Sequence, residues 1–169
     1  MPTLHIVGGP PASGKTRFGK ELAARFGAAF LDIDTVTEPV VQAGLSLANK
    51  NPDDRDSPEF KSAYREPIYE ALFNTAKVNL SHIDVVVAGP FTKEFRDANW
   101  LDAVRAKVGH PAKAYYVTAD PRIRKKRLTK RNNPRDRAKL EDWERYLRYY
   151  GTESSPPFEH HFEDTSQWG

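Results

Sequence analysis

The 169-residue chain contains no cysteine and a single methionine. Without cysteine there is no disulfide, no thiolate metal site and no cysteine nucleophile. No apolar run approaches the ~20 residues of a bilayer-spanning helix. The N-terminus lacks the charged region and long apolar stretch of a signal peptide. Internal repeats and low-complexity tracts are absent too. The expectation is a soluble cytoplasmic protein with no membrane association, folded as one domain over residues 1–169 and long enough to bury a core.

Acidic residues are scarce in one region. Residues 122–137, RIRKKRLTKRNNPRDR, carry nine Lys or Arg and one acid, an excess of +8. The whole chain carries only +3, so the remainder carries −5. The basic character is local and needs a local explanation.

What is present begins at residue 8. GGPPASGKT matches G-x-x-x-x-G-K-[ST], with Gly9, Gly14, Lys15 and Thr16 in the required places. Glycines let the backbone turn tightly, so that successive N–H groups converge on a phosphate. The lysine reaches the β/γ oxygens, and the Thr hydroxyl ligates Mg²⁺. The helix that follows adds its positive end. LHIVG (residues 4–8) predicts a short buried strand before the loop. TRFGKELAARFG after it predicts a helix with Phe18, Leu22 and Phe26 on one face and Gly27 as its stop. The candidate nucleotide-binding residues are Gly9, Pro10, Pro11, Ala12, Ser13, Gly14, Lys15, Thr16 and Arg17.

Residues 28–38, AAFLDIDTVTE, predict a second strand ending in Asp32 and Asp34. Two residues apart on a strand, the carboxylates would point to one side, facing the crevice at the carboxyl end of an α/β sheet. One can hold the water shell of Mg²⁺, and the other can accept a proton from a substrate hydroxyl. Capping the next helix is the competing role for Asp34.

A GxxxxGKT loop, one helix and a strand ending in D-x-D resembles the small-molecule P-loop kinases. Shikimate kinase, chloramphenicol phosphotransferase and the zeta-toxin-type kinases are similar, as is the wider group of AAA-type small kinases. The resemblance implies that Asp32, with Thr16, serves the metal and that Asp34 is the base. It also implies that ATP and Mg²⁺ are the cofactors.

Farther along, residues 44–66 are polar and turn-rich, where such kinases carry a substrate lobe, and Arg55 and Arg65 are candidates for an anionic or polar substrate. A solvated loop and helix face is the plainer reading. Asn49-Lys50 begins like N-K-x-D, but Pro52 stands where Asp is required, so the GTPase reading fails. A helix is predicted from Pro67 as its first residue, with Ile68, Leu72, Ala76 and Leu80 on one face. IDVVVAG (residues 83–89) predicts a central parallel strand. It ends in Gly89-Pro90-Phe91-Thr92 rather than in Asp, which argues against a motor-type ATPase. Lys93 and Arg96 follow it, close to where a substrate would lie. AKAYYVTAD (residues 112–120) predicts another strand, and Asp120-Pro121 opens a helix.

Three readings compete for the basic segment: a nucleic-acid contact, a solvated helix face, and a lid over residues 122–138 that closes arginines over a triphosphate. Arg124, Arg127 and Arg131 share one helical face. Arg127, Arg131 and Arg135 are the lid candidates, and with Lys15 and Asp34 they make up the candidate catalytic set. Leu140, Trp143, Leu147 and Tyr150 form an apolar stripe after the lid. The tail HHFEDTS predicts a last strand. Its adjacent His160 and His161 point to opposite sides and make a poor joint metal site.

The expected architecture is α/β: a three-layer α/β/α P-loop NTPase sandwich with about five parallel strands and a basic helical lid. The expected activity is ATP- and Mg²⁺-dependent phosphoryl transfer to a hydroxyl of a small molecule. The alternatives are a polynucleotide 5′-hydroxyl kinase, which would make nucleic acid a partner, and a nucleotide-binding regulatory ATPase without an acceptor. The sequence leaves the acceptor and the oligomeric state undetermined.

Overall fold

Alternation along the strand Leu4–Gly8 (β1) sends successive side chains to opposite faces, and each face meets a helical layer. The structure, a computed structural model, describes residues 1–150 and 155–169, and for Tyr149 and Tyr150 the backbone alone. After β1 come helix Lys15–Phe26 (α1), strand Ala29–Asp32 (β2), helix Ile33–Leu47 (α2), helix Pro58–Asn79 (α3) and strand Val85–Ala88 (β3). Helix Trp100–Val108 (α4), strand Ala112–Thr118 (β4), helices Pro121–Arg131 (α5), Arg137–Glu141 (α6) and Trp143–Tyr150 (α7), and strand His160–Asp164 (β5) complete the order.

The five strands form one parallel sheet in the order β2-β3-β1-β4-β5. Leu4, Ile6, Val85, Val87 and Tyr116 face one way and pack on Leu72, Phe73 and Ala76 of α3 and on Leu101, Val104 and Val108 of α4. Val7, Val86, Tyr115 and Val117 face the other way and pack on Leu22 and Ala23 of α1. The three-layer α/β/α expectation is what folds. With β1 central, the chain runs outward to β2, returns to β3 and then crosses to β4, so ligands have a crevice at the carboxyl ends of these strands.

Two predicted boundaries differ. The strand at residue 29 stops at Asp32 and a helix starts at Ile33, so Asp34 lies on a helix rather than on the strand. The reason is a cap: Asp32 Oδ1 accepts from the backbone N–H groups of Asp34 at 3.0 Å and Thr35 at 3.2 Å, which nucleates α2 at once. The helix expected from Pro67 starts nine residues earlier, at Pro58. Ser57 Oγ accepts from Phe60 N at 3.0 Å and Pro58 takes the first turn. Pro67 then lies inside the helix and simply lacks the N–H of one backbone bond.

The turn after β3 is built on a strained residue. Phe91 has φ +45°, is fully buried, and stacks among Tyr69, Phe95 and Trp100. Its N–H donates to Tyr69 Oη at 3.2 Å. Packing of this kind lets the fold hold a backbone conformation that a bulky residue avoids. Of the apolar stripe after the basic segment, Leu140, Trp143 and Leu147 pack with Leu128 and Tyr146. The fourth member, the Tyr150 side chain, lies outside the described residues.

His5 is buried in β1, stacked on Phe26 at 4.6 Å, with Nδ1 2.9 Å from Tyr115 Oη and Nε2 3.4 Å from Asp84. Burial holds its pKa below 6.5, against the opposing pull of Asp84. The unfolded chain therefore takes up a proton before the folded one. Stability is lost as pH falls below about 6.5, by at most ~1.4 kcal/mol per pH unit for this group. The urea midpoint should drop between about pH 7.5 and 5.5, and His5→Asn should flatten that part of the curve.

Candidate active site

The phosphate loop fits between β1 and β4 because Gly9 has no side chain. At φ +146°, a Cβ there would lie 1.9 Å from the Val117 carbonyl oxygen. Gly14, at φ +96°, ends the loop as the N-cap of α1. No side chain caps that helix and no acidic residue occupies its first turn, so its leading N–H groups are open to an anion. Ser13 Oγ is buried in the loop without a hydrogen-bond partner. Lys15 Nζ curls back to the Pro10 carbonyl at 2.7 Å. These features fit a bound polyphosphate.

Thr16 Oγ1 donates to Asp32 Oδ2 at 2.9 Å, setting a hydroxyl beside a carboxylate at the loop's exit. Such hard oxygen donors suit Mg²⁺, which binds through one or two protein groups together with phosphate oxygens. Among the described residues no group of three or more His, Cys, Asp or Glu could hold a metal by itself. Thr16 and Asp32 fit a shared site completed by the nucleotide.

Asp34 projects from the first turn of α2 into a cleft of about 570 Å³ that Lys15, Thr16 and Asp32 also line. Val41, Phe60, Ile68 and Tyr69 give the cleft an apolar wall opposite the phosphate loop, with Arg55, Arg65 and Lys93 around it. Both lobe arginines are already paired. Arg55 donates to Glu38 Oε1 at 2.7 Å, and Arg65 grips Glu94 through both oxygens at 2.9 and 2.7 Å. Arg96 ends a 3-10 turn, Glu94–Arg96, and does not line the cleft, whereas Lys93 does.

The arginines of the basic segment divide by helical face. Arg124, placed by the sequence on the lid face, is instead buried. Its Nε donates to the Ala119 carbonyl at 3.1 Å and its guanidinium lies 5.8 Å from the Trp143 ring. Arg127 borders the cleft and ties the phosphate loop to the residues after β5. It donates to Ala12 O, to Thr165 Oγ1 and O, and to Trp168 O, at 2.7–3.3 Å. Arg131 forms a bidentate pair with Asp136 at 2.5 and 2.7 Å. Arg135 reaches across the cleft to Asp34 at 3.1 and 3.3 Å and to Glu38 at 2.9 Å. Burial opposes the charge on Arg135, but Asp34 and Glu38 outweigh it and hold its pKa raised. Arg122, Lys125, Lys126, Lys130 and Arg137 are exposed.

Sequence reasoning did not find Glu38, or the Lys139–Asp56 pair at 2.8 Å. The resemblance to small-molecule P-loop kinases implies that Thr165, just beyond the last strand, lies in a loop that touches the adenine. It did not foresee the bond from the Thr165 hydroxyl to Ser13 O at 2.6 Å, nor Trp168, which stacks on Arg17 at 4.7 Å. Only Glu38 had a local signal, lying one helical turn after Asp34. His160 and His161 point to opposite faces, against Tyr116 and Tyr115 respectively.

The AAA domain family (AAA_33) matches residues 4–152. The chain belongs to that family. Among curated proteins no sequence relative was found. Three solved structures have the same fold as this AAA-domain chain. A sugar kinase from Janibacter sp. HTCC2649 is 15% identical over 97% of this chain and 86% of its own, with TM-score 0.61. A gluconokinase from Sinorhizobium meliloti 1021 is 17% identical over 96% and 81%, with TM-score 0.55. A shikimate kinase from Bacteroides thetaiotaomicron is 14% identical over 87% and 78%, with TM-score 0.54. The resemblance to the small-molecule P-loop kinase group thus extends from the loop and the D-x-D pair to the fold. No helix among the described residues is long and apolar enough to cross a membrane.

Burial pushes the Lys15 ammonium down to about 7, with Asp34 opposing and Arg131 adding to the effect. A bound polyphosphate favours the charged form, so nucleotide binding above pH 7 must take up a proton. Affinity should fall as pH rises from about 7 to 9. Calorimetry near pH 8 should give binding heats that depend on the buffer's ionisation enthalpy. Equal heats in two such buffers would mean that Lys15 is charged before the nucleotide arrives.

Proposed function

We propose that the protein transfers the γ-phosphoryl group of ATP, with Mg²⁺, to a hydroxyl group of a small-molecule acceptor. One observation carries this reading: Lys15, the Thr16–Asp32 pair and Asp34 line a single cleft whose other wall is the apolar and cationic lobe of α2 and α3. A pure nucleotide binder needs the loop but has no use for a carboxylate facing an acceptor-sized space. The sugar kinase, gluconokinase and shikimate kinase of the same fold are named for small hydroxylated acceptors, which supports the same class here.

In this mechanism the loop amides and Lys15 hold the β- and γ-phosphates, with Thr16 and Asp32 on the metal side. Mg²⁺ when bound neutralises charge on the phosphate oxygens. The acceptor hydroxyl hydrogen-bonds to Asp34. As its oxygen bonds to phosphorus and the bond to the ADP oxygen breaks, its proton passes to the Asp34 carboxylate. Arg131 and Arg135 neutralise the phosphoryl group in transit, while Arg127 keeps the loop in place. Drawing the basic segment over the cleft excludes water, which would otherwise compete as acceptor.

The test is ATP turnover with Mg²⁺ against a panel of hydroxyl compounds that includes a 5′-hydroxyl oligonucleotide. Lys15→Ala should abolish nucleotide binding and turnover together. Asp34→Asn should lower kcat by about 10²–10⁴-fold with ATP affinity within a few-fold of the parent. Activity that survives Asp34→Asn removes the base assignment. Stimulation by the oligonucleotide alone would replace the small-molecule acceptor by a polynucleotide.

A further inference from the structure

Glu38 touches both sides of the cleft. Its Oε2 accepts from Arg135 Nη1 at 2.9 Å and its Oε1 accepts from Arg55 Nη2 at 2.7 Å. Arg55 in turn donates to the carbonyls of Pro52 at 2.9 Å and Asp54 at 2.5 Å, so one carboxylate secures the 48–57 loop and the turn that follows α5. Arg135 also contacts Asp34, one helical turn before Glu38, but at 3.1 and 3.3 Å. The two carboxylates differ in exposure as well: the Asp34 side chain is 58% exposed and that of Glu38 is 22%. Asp34 is therefore the one that a small molecule reaches first, and its contact with Arg135 is the longer and more easily displaced.

We propose that Glu38 is a positioning residue for phosphoryl transfer: it anchors Arg135 and Arg55 at the acceptor end of the cleft, so that Asp34 can release Arg135 and take up the acceptor hydroxyl. This rests on the kinase reading given above. Glu38 is not itself the base, because both of its oxygens are held by guanidinium groups at short distance. Without it, Arg135 keeps Asp34 as its one carboxylate partner across the cleft among the described residues. The oxygens that should receive the hydroxyl then stay occupied, and the 48–57 loop loses its tie. Removing an acid one turn from the base thus slows the reaction, although it also removes a like-charge neighbour from the helix.

Two readouts test this on the full chain, comparing Glu38→Gln and Glu38→Asp with the parent and Asp34→Asn. The first is amide hydrogen exchange of residues 48–57 and 133–141 without nucleotide, which needs no acceptor. Glu38→Gln should speed exchange in both segments, whereas Asp34→Asn should leave residues 48–57 unchanged. The second is steady-state turnover on whichever hydroxyl compound the parent phosphorylates, or on water as basal hydrolysis where none serves. Glu38→Gln should lower kcat by about tenfold or more and raise the acceptor KM, with the ATP KM within about threefold. Glu38→Asp should recover part of the loss. Unchanged exchange in Glu38→Gln overturns the proposal. So does faster exchange with unchanged kcat, which would make Glu38 a structural tie only. A parent that phosphorylates no hydroxyl compound defeats the kinase reading instead, while the exchange comparison still decides whether Glu38 holds the two segments.

Discussion

The Asp32 carboxylate is the joint between the two halves of the site. Three donors meet it: the Thr16 hydroxyl and the backbone N–H groups of Asp34 and Thr35. The first turn of α1, the end of β2 and the first turn of α2 therefore share one buried anion. Hydrogen bonds to a charged group contribute ~1.5–3 kcal/mol each, and here they set geometry as well. From this joint α2 carries Asp34, Glu38 and Val41 at i, i+4 and i+7, one helical face directed at the cleft. The distance between the phosphate loop and the acceptor wall thus depends on a residue that stands behind both.

Features resting on short-range chemistry are legible in the amino-acid order itself. β1 over residues 4–8, the loop to Thr16, the stop at Gly27 and the Asp120-Pro121 helix start each need only a few neighbouring residues. The border at Asp32 is not legible in the same way. A D-x-D pair after an apolar run fits a strand of period two and a helix cap equally well, and the choice involves a Thr16 hydroxyl 16 residues away. Pro67 misleads for a related reason. Proline marks a helix start, but Ser57-Pro58 offers a start with a side-chain cap, and a long helix tolerates one missing backbone bond. The partners of the site are beyond local reading altogether. Arg135 and Asp34 are 101 residues apart, and Arg127 and Thr165 are 38 apart. Sequence can nominate the arginines but not their partners.

The dense charge of residues 122–137 resolves in the same physical terms. A helix alternates its faces every three to four residues, so a run of basic residues cannot all point at one ligand. On α5 the protein-side positions 124, 127 and 131, buried, half-buried and 44% exposed in turn, meet a buried carbonyl and ring, the phosphate-loop region and Asp136. Positions 122, 125, 126 and 130 face solvent. A solvated helix face and a cleft-facing arginine row are therefore two sides of one element. Counting charges along the chain overstates how many the cleft receives.

The inward arginines are not idle cations waiting for phosphate. Arg131 has Asp136, Arg135 has Asp34 and Glu38, and nearby Lys139 has Asp56. For such a group to neutralise a transferring phosphoryl it must exchange a carboxylate for a phosphate oxygen, and a ligand gains only the difference between the two partners. That difference is smallest for Arg131, whose bidentate pair is short and whose acid is buried. It is largest at the longer Arg135–Asp34 contact. The exchange therefore begins at Asp34, so a phosphate that draws Arg135 toward itself uncovers that carboxylate at the same moment. Within the kinase reading, proton acceptance at Asp34 and charge neutralisation by Arg135 become one rearrangement.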